Sequence, residues 1–162
     1  MRGSEVLTLY HGSNIAFERP ELRFSKTRRD FGTGFYTAMF KAQAEAWARN
    51  MMSRFGGDSY LYTFAFDVSS DLKVLEFPAI TVEWLEMVRT NRVLGGLQHH
   101  YDVVIGPVAN DDTMRTIALY IDGVYAASEA MRRLGYSKPN NQVSLHTDAA
   151  MGLLTMIGRD RV

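Results

Sequence analysis

Two glycines one residue apart, Gly32 and Gly34, precede an aromatic pair and form the most restrictive local pattern in the chain. Because glycine has no Cβ, it can adopt positive φ and can let another group approach the backbone closely. The next residues, Phe35, Tyr36 and Thr37, favour an extended strand. The stretch therefore predicts a tight loop followed by a short strand, with two aromatic residues at the start of the strand. Gly-x-Gly alone is a weak functional signal, and a hairpin entry with two core aromatics also explains it.

A second glycine-bounded strand end lies near the N-terminus. Residues 6–10 have the pattern of a short apolar strand, and His11, Gly12 and Ser13 follow directly. A histidine at such a strand end lies beside backbone N–H and C=O groups. A packed, hydrogen-bonded core histidine is the alternative interpretation of His11 taken alone.

Together, His11-Gly12 and the downstream Gly32-x-Gly34-x-Tyr36 resemble the ADP-ribosyltransferase fold, in the branch of diphtheria toxin and poly(ADP-ribose) polymerase. That branch carries His, Tyr and Glu on three core strands. The whole chain looks most like a small bacterial family within that superfamily. The matching stretches are residues 9–13, 30–37, 101–111 and 140–147.

The resemblance implies that NAD binds as a substrate. His11 would hydrogen-bond a ribose hydroxyl of NAD, and Gly12 would meet the nicotinamide amide through its backbone. Tyr36 would stack on the nicotinamide ring, an arrangement that flat rings favour. The other residues expected to contact the nucleotide near these motifs are Ser13, Phe31, Gly32, Gly34 and Thr37.

A basic cluster, residues 26–29, immediately precedes the Gly-x-Gly loop. A solvated loop is the simpler interpretation of this cluster. Arginine also pairs with phosphate through two parallel hydrogen bonds. Arg28 and Arg29 are therefore candidates to bind the pyrophosphate of a dinucleotide.

The third strand departs from the pattern of the branch, because Gln142 stands where the branch has Glu. A glutamine can hydrogen-bond a ribose hydroxyl, but it carries no charge to stabilise a cation and cannot act as a base. Three outcomes stay open. Gln142 alone positions the ribose, a carboxylate from elsewhere such as Asp111 enters the site, or the domain binds a nucleotide without reacting. A helix cap is the simpler role for Asp111.

The order of predicted elements indicates an α+β domain without a regular βαβ repeat. The resemblance implies an ADP-ribosyltransferase-like split mixed β-sheet with flanking helices, in a single domain over residues 5–158. Trp47 is expected to anchor the first helix. Beyond the two motif strands, strands are expected over residues 58–68, 72–77, 102–108 and 140–146. Helices are expected over residues 40–55, 80–93, 113–121, 125–134 and 148–154.

Composition narrows the classes of function. Eighteen basic residues balance 18 acidic ones, which argues against a general electrostatic grip on nucleic acid. The chain has no cysteine, and the adjacent pair His99-His100 lacks further ligands, so we expect no metal site. No apolar run approaches the roughly 20 residues of a membrane span. The N-terminus lacks a signal-peptide core, so we expect a cytoplasmic protein with no membrane partner.

With the resemblance, these features imply a mono-ADP-ribosyltransferase that uses NAD. The expected context is the toxin of a bacterial toxin–antitoxin or conflict system, with a small antitoxin protein as a partner. No motif reveals the acceptor of the ADP-ribose. A catalytically inactive module of the same fold that binds NAD or ADP-ribose is the alternative function.

Overall fold

A computed structural model describes residues 5–69, 71–108, 111–134 and 141–162, except for the side chains of residues 111–113. A short 3₁₀ turn lies at Leu22–Phe24. The strands are β1 (Glu5–Ser13), β2 (Phe35–Ala38), β3 (Tyr60–Val68), β4 (Val74–Glu76), β5 (Val103–Pro107), β6 (Asn141–Leu145) and β7 (Leu154–Arg161). The helices are α1 (Lys41–Phe55), α2 (Val82–Leu94), α3 (Asp111–Ile121), α4 (Ala127–Leu134) and α5 (Asp148–Met151).

The seven strands of the described residues form one mixed sheet in the order β4-β5-β6-β2-β1-β3-β7. β4 and β5 are parallel, and the other neighbours are antiparallel. β1 follows β3 over nine residue pairs, but it meets β2 at Tyr10 and Ala38. His11 and Gly12 lie beyond that meeting point. The sheet therefore opens near its centre, at the strand ends that carry both motifs, and the predicted α+β class is confirmed.

Alternation along the strands divides the buried residues between two faces of the sheet. One face carries Leu9, Phe35 and Tyr62, which pack with Phe17 from the segment after β1. We call the opposite face the helix face, because α2, α3 and α4 pack on it, and Ala44 of α1 does so beside β1. The fully buried side chains of the helix face include Phe31, Trp84, Leu85, Val88, Ile117 and Ala130.

The C-terminal part of the prediction was wrong. A helix does begin after Thr147, whose Oγ1 accepts a hydrogen bond from the amide of Ala150 at 3.2 Å. That helix ends at Met151, and the chain returns as strand β7 along β3. The reason is visible in the alternation of the segment, because Leu154 and Met156 pack on the core formed by β3. β7 becomes one of the two edge strands of the described sheet.

Two smaller expectations also change. α3 begins at Asp111, so this residue lies in the helix instead of capping it. Trp47 does not anchor α1, because 46% of its surface is exposed. Within the described ranges, no helix has the length and apolar character needed to cross a membrane.

Helix α1 is anchored through alanine instead, and it lies directly on β1. Ala44 and Ala48 are buried. A Cβ placed on Gly12 would lie 2.1 Å from the carbonyl oxygen of Ala44 and 2.8 Å from the amide nitrogen of Ala48. Glycine is therefore required at this position by the close approach of a helix backbone.

Replacing Gly12 with alanine is expected to lower the free energy of unfolding by about 1–3 kcal/mol, the usual cost of overpacking. The clash is with helix backbone, which cannot move aside as a flexible side chain can. Gly158→Ala in β7 is the matched control, since the nearest atom to its new Cβ would be 3.8 Å away. Urea denaturation measures both variants, and equal losses would contradict the packing explanation.

Candidate functional site

A cleft of about 630 Å³ opens where β1 and β2 separate. This volume is in the range of small-molecule binding sites. Gly12 of β1, Tyr36 of β2 and Gln142 of β6 border the cleft, together with Trp47 and other residues of α1. The strand order explains why these three residues lie at one cleft, because β6, β2 and β1 are consecutive neighbours in the sheet. Gln142 lies opposite Ala38 in the β2–β6 register.

The imidazole of His11 is held by one hydrogen bond and by aromatic packing. Its Nδ1 lies 2.7 Å from the carbonyl oxygen of Tyr36. Because a carbonyl can only accept, Nδ1 carries the proton and Nε2 is the acceptor. The ring lies 4.4 Å from that of Phe35, between centroids, and also contacts Phe17 and Tyr62. Burial among these groups lowers the pKa of His11 to about 4, so the ring is neutral at pH 7.

The His11 ring and the Tyr36 ring lie on opposite faces of the sheet. The pairing of Tyr10 with Ala38 puts Gly12 and Tyr36 on the helix face, by alternation along each strand. His11 packs with the other core cluster through Phe35. His11 borders the cleft nevertheless, at the gap between the two strands.

The hydroxyl of Tyr36 closes the Gly-x-Gly loop. It donates to the carbonyl of Gly32 at 2.6 Å and accepts from the amide of Phe31 at 2.9 Å. Burial raises the pKa of this phenol. The Arg29 guanidinium carbon lies 4.2 Å from the centre of the Tyr36 ring, a cation–π contact. The ring expected to stack on nicotinamide therefore already carries Arg29 on one face.

The two glycines of the loop meet different requirements. Gly32 has φ of 87°, the left-handed conformation that glycine adopts readily. Gly34 does not have positive φ, but a Cβ there would lie 2.6 Å from Nδ1 of His146. His146 donates from Nδ1 to the carbonyl of Thr33 at 2.8 Å. Burial lowers the pKa of His146 to about 4. Nothing in the local sequence indicated that this histidine would support the loop.

The two arginines of the basic cluster separate in space. Arg28 has φ of 62°, and its Nη1 donates to the carbonyls of Arg92 and Val93, each at 2.8 Å. These carbonyls end α2, so Arg28 caps that helix and does not border the cleft. Arg29 borders the cleft.

Several other expected contact residues are used inside the fold. Phe31 is fully buried, and neither it nor either loop glycine borders the cleft. Ser13 Oγ accepts a hydrogen bond from the amide of Ile15 at 3.1 Å. Thr37 borders the cleft, while its Oγ1 donates to the carbonyl of Val143 at 2.7 Å. The side chain of Asp111, the expected replacement carboxylate, lies outside the described residues.

Among the described residues, Asp30 is the carboxylate that borders the cleft, and no sequence motif singled it out. Its surface is 8% exposed, and it borders the cleft beside Gln142. Nε of Arg92 donates to Oδ1 of Asp30 at 2.9 Å, and Nη2 of Arg92 contacts the same oxygen. Nε2 of Gln142 lies 3.4 Å from Oδ2 of Asp30. The available signal was its place directly before the Gly-x-Gly loop.

Positive charge is concentrated at the cleft although the chain as a whole is neutral. Lys26, Arg29, Arg54 and Arg92 all border it. Arg92 is paired with Asp30, while the other three have no carboxylate partner among the described residues. A cleft with such a balance attracts anionic ligands.

A buried polar atom at the cleft has no hydrogen-bond partner within the part of the chain that the structure describes. Oε1 of Gln43, on the first turn of α1, is buried and has no hydrogen-bond partner among the described residues. Gln43 borders the cleft. Buried polar groups are nearly always satisfied in folded proteins, so a hydrogen-bond donor, from water or from a ligand, is expected at this acceptor.

Stability is expected to fall as the pH drops from 6.5 towards 4, because His146 is held neutral in the folded protein. The unfolded chain binds the proton more readily in that range, so protonation favours unfolding, and the contribution is complete above pH 6.5. His11 acts in the same direction. Urea denaturation at pH 7 and pH 4.5 should show a smaller loss for His146→Gln than for wild type. His100→Gln, at an exposed histidine, is the control, and an unchanged pH dependence in His146→Gln would contradict this account.

A family model described as a protein of unknown function, DUF3990, matches residues 7–156. That match runs from β1 into β7 and includes every strand that borders the cleft. No curated protein and no solved structure matches the chain. The chain therefore belongs to the DUF3990 family of proteins of unknown function.

Proposed function

We propose that this protein is a mono-ADP-ribosyltransferase that uses NAD as its substrate and has the ADP-ribosyltransferase fold. The proposal is supported chiefly by the convergence of Gly12, Tyr36 and Gln142 on one cleft, from three neighbouring strands. The family resemblance assigns these positions to the nicotinamide and its ribose. The basic side chains at the cleft would pair with the negative charges of the pyrophosphate.

Binding of NAD would rearrange one contact. Arg29 lies on the Tyr36 ring, and the pyrophosphate is a stronger partner for a guanidinium than an aromatic ring is. Transfer of Arg29 to the pyrophosphate would uncover the ring for the nicotinamide. Lys26 and Arg54 border the same cleft and add to its attraction for the pyrophosphate.

The proposed reaction breaks the bond between the ribose anomeric carbon and the nicotinamide nitrogen. The electron pair leaves with nicotinamide, and positive charge develops on the ribose as in glycoside cleavage. The site accelerates this step by holding the ribose hydroxyls and by placing negative charge near the ribose. Nε2 of His11, an acceptor at neutral pH, suits a ribose hydroxyl at the gap between β1 and β2. A neutral Gln142 favours a single transfer over chain elongation.

The proposed context, a cytoplasmic toxin with a small antitoxin partner, rests on the resemblance. The acceptor can be a protein, a nucleic acid or a small molecule. Incubation with labelled NAD and a cell lysate, followed by separate digestion with protease and nuclease, identifies its class.

A binding module for NAD or ADP-ribose is the second candidate. It is favoured by the Arg29 contact on Tyr36 and by the position of the His11 ring on the other face. Both features leave a binding cleft in place while they separate the groups that transfer would need. Nicotinamide release distinguishes the two functions, because the binding module retains NAD intact.

Arg29→Gln is expected to weaken NAD binding by tenfold or more, which corresponds to about 1.4 kcal/mol, because a charged hydrogen bond to phosphate is lost. Titration calorimetry measures the dissociation constant. Arg28→Gln is the matched control, since the neighbouring arginine caps α2 outside the cleft. Equal affinities for both variants would contradict the assignment of the pyrophosphate.

The wild-type protein is expected to release nicotinamide from NAD, measured by chromatography of the free base. Arg29→Gln should lower this release at low NAD concentration, because it weakens binding. Binding of NAD without release would favour the binding module. Absence of binding to both NAD and ADP-ribose would contradict both candidate functions.

A further inference from the structure

We propose that Asp30 and Gln142 form one functional unit at the cleft, in which Gln142 presents its carbonyl oxygen to the ribose and Asp30 orients and polarises it. This inference rests on the proposed transferase function. Gln142 contacts the substrate, and Asp30 is a positioning residue that acts through it. The pair of Asp30 and Gln142 would take the place of the single glutamate in the branch that this chain resembles.

The hydrogen bonds of Gln142 decide which way its amide points. Nε2 donates to Oδ2 of Asp30 at 3.4 Å and to the carbonyl of Pro107 at 3.3 Å. Both neighbours are acceptors, so a rotated amide would bring its oxygen against two other oxygens with no proton between them. The two N–H groups are thus both used, and Oε1 is left without a partner among the described residues. Gln142 is 7% exposed and borders the cleft.

Asp30 is itself held in place by Arg92. Nε of Arg92 donates to Oδ1 at 2.9 Å, with a second contact from Nη2. Arg92 therefore occupies Oδ1, while Oδ2 faces Gln142. A hydrogen bond from an amide to a carboxylate draws electron density towards the amide oxygen, since bonds in such a chain polarise one another. The Asp30 charge accordingly strengthens Oε1 as an acceptor.

This arrangement suits the charge that develops during transfer. As the glycosidic bond breaks, its electron pair leaves with neutral nicotinamide, and the ribose becomes cationic. Oε1 of Gln142 would accept a hydrogen bond from a ribose hydroxyl, and the Asp30 carboxylate would stand behind it. The acceptor nucleophile, which is water in a hydrolysis assay, then attacks the anomeric carbon and loses a proton. Removing one such preorganised group typically lowers kcat by a hundredfold or more.

The unit predicts that Gln142→Glu alone does not improve the enzyme. A glutamate there would face the Asp30 carboxylate and the Pro107 carbonyl with no proton to share. Like charges at this distance repel. We expect both single variants, Asp30→Asn and Gln142→Glu, to lower kcat for nicotinamide release by tenfold to a hundredfold.

The double variant Asp30→Asn/Gln142→Glu tests the unit directly. The amide introduced at position 30 can donate to the carboxylate introduced at position 142, so the amide and the carboxylate exchange places. We expect kcat to recover to within about tenfold of wild type, with KM for NAD changed less than kcat in all variants. A purely structural role for Asp30, as the partner of Arg92, would not allow this recovery.

Asp102→Asn is the matched control. It makes the same substitution at a carboxylate outside the cleft, where Asp102 accepts from Thr147 Oγ1 at 2.6 Å and from the amide of Lys73 at 2.8 Å. It is expected to keep kcat and KM. Thermal melting of all five proteins shows that each variant is folded at the assay temperature.

Two results would overturn the inference while leaving the transferase function intact. One is an Asp30→Asn variant with wild-type kcat. The other is a folded double variant that stays as slow as the single variants. A wild type that binds NAD in calorimetry and releases no nicotinamide overturns the transferase function, and this inference with it.

Discussion

Four consecutive backbone carbonyls, those of residues 31–34, each accept a hydrogen bond from a side chain of a different part of the chain. Their donors are His99, Tyr36, His146 and Ser25, in that order. A loop buried this close to the core must satisfy its carbonyls or lose the free energy of their hydration. The loop conformation thus depends on β2, on β6 and on the segments around them being folded together.

This loop positions several charged and aromatic side chains of the cleft. Asp30 stands directly before it and is brought beside Gln142, while Arg29 is placed over Tyr36. Positive side chains from several parts of the chain border the cleft, although the total charge of the molecule is zero. A neutral protein can therefore offer an anionic ligand a cationic cleft, because four basic residues and one acid, Asp30, border it among the described residues.

Part of the candidate site was predictable from short sequence motifs. Gly12, Tyr36 and Gln142 each sit in such a motif, and the strand order brings them to one cleft. Asp30 and Arg92 were not predictable, because their contacts join residues 62 and 112 positions apart. Arg28 and Arg29 illustrate what could not be predicted from the sequence alone. They are identical neighbours in the sequence, yet a positive φ turns the first towards α2 and leaves the second at the cleft.

Local sequence was enough to establish the α+β class, the loop at Gly32 and most element positions. These follow from periodicity and from glycine, whose effects act within a few residues. The packing of distant segments was needed to make residues 154–161 an edge strand, to turn the His11 ring towards the Phe35 core, and to bring a carboxylate beside Gln142. Each of these depends on which distant groups must be buried or paired together, and that is a property of the assembled sheet.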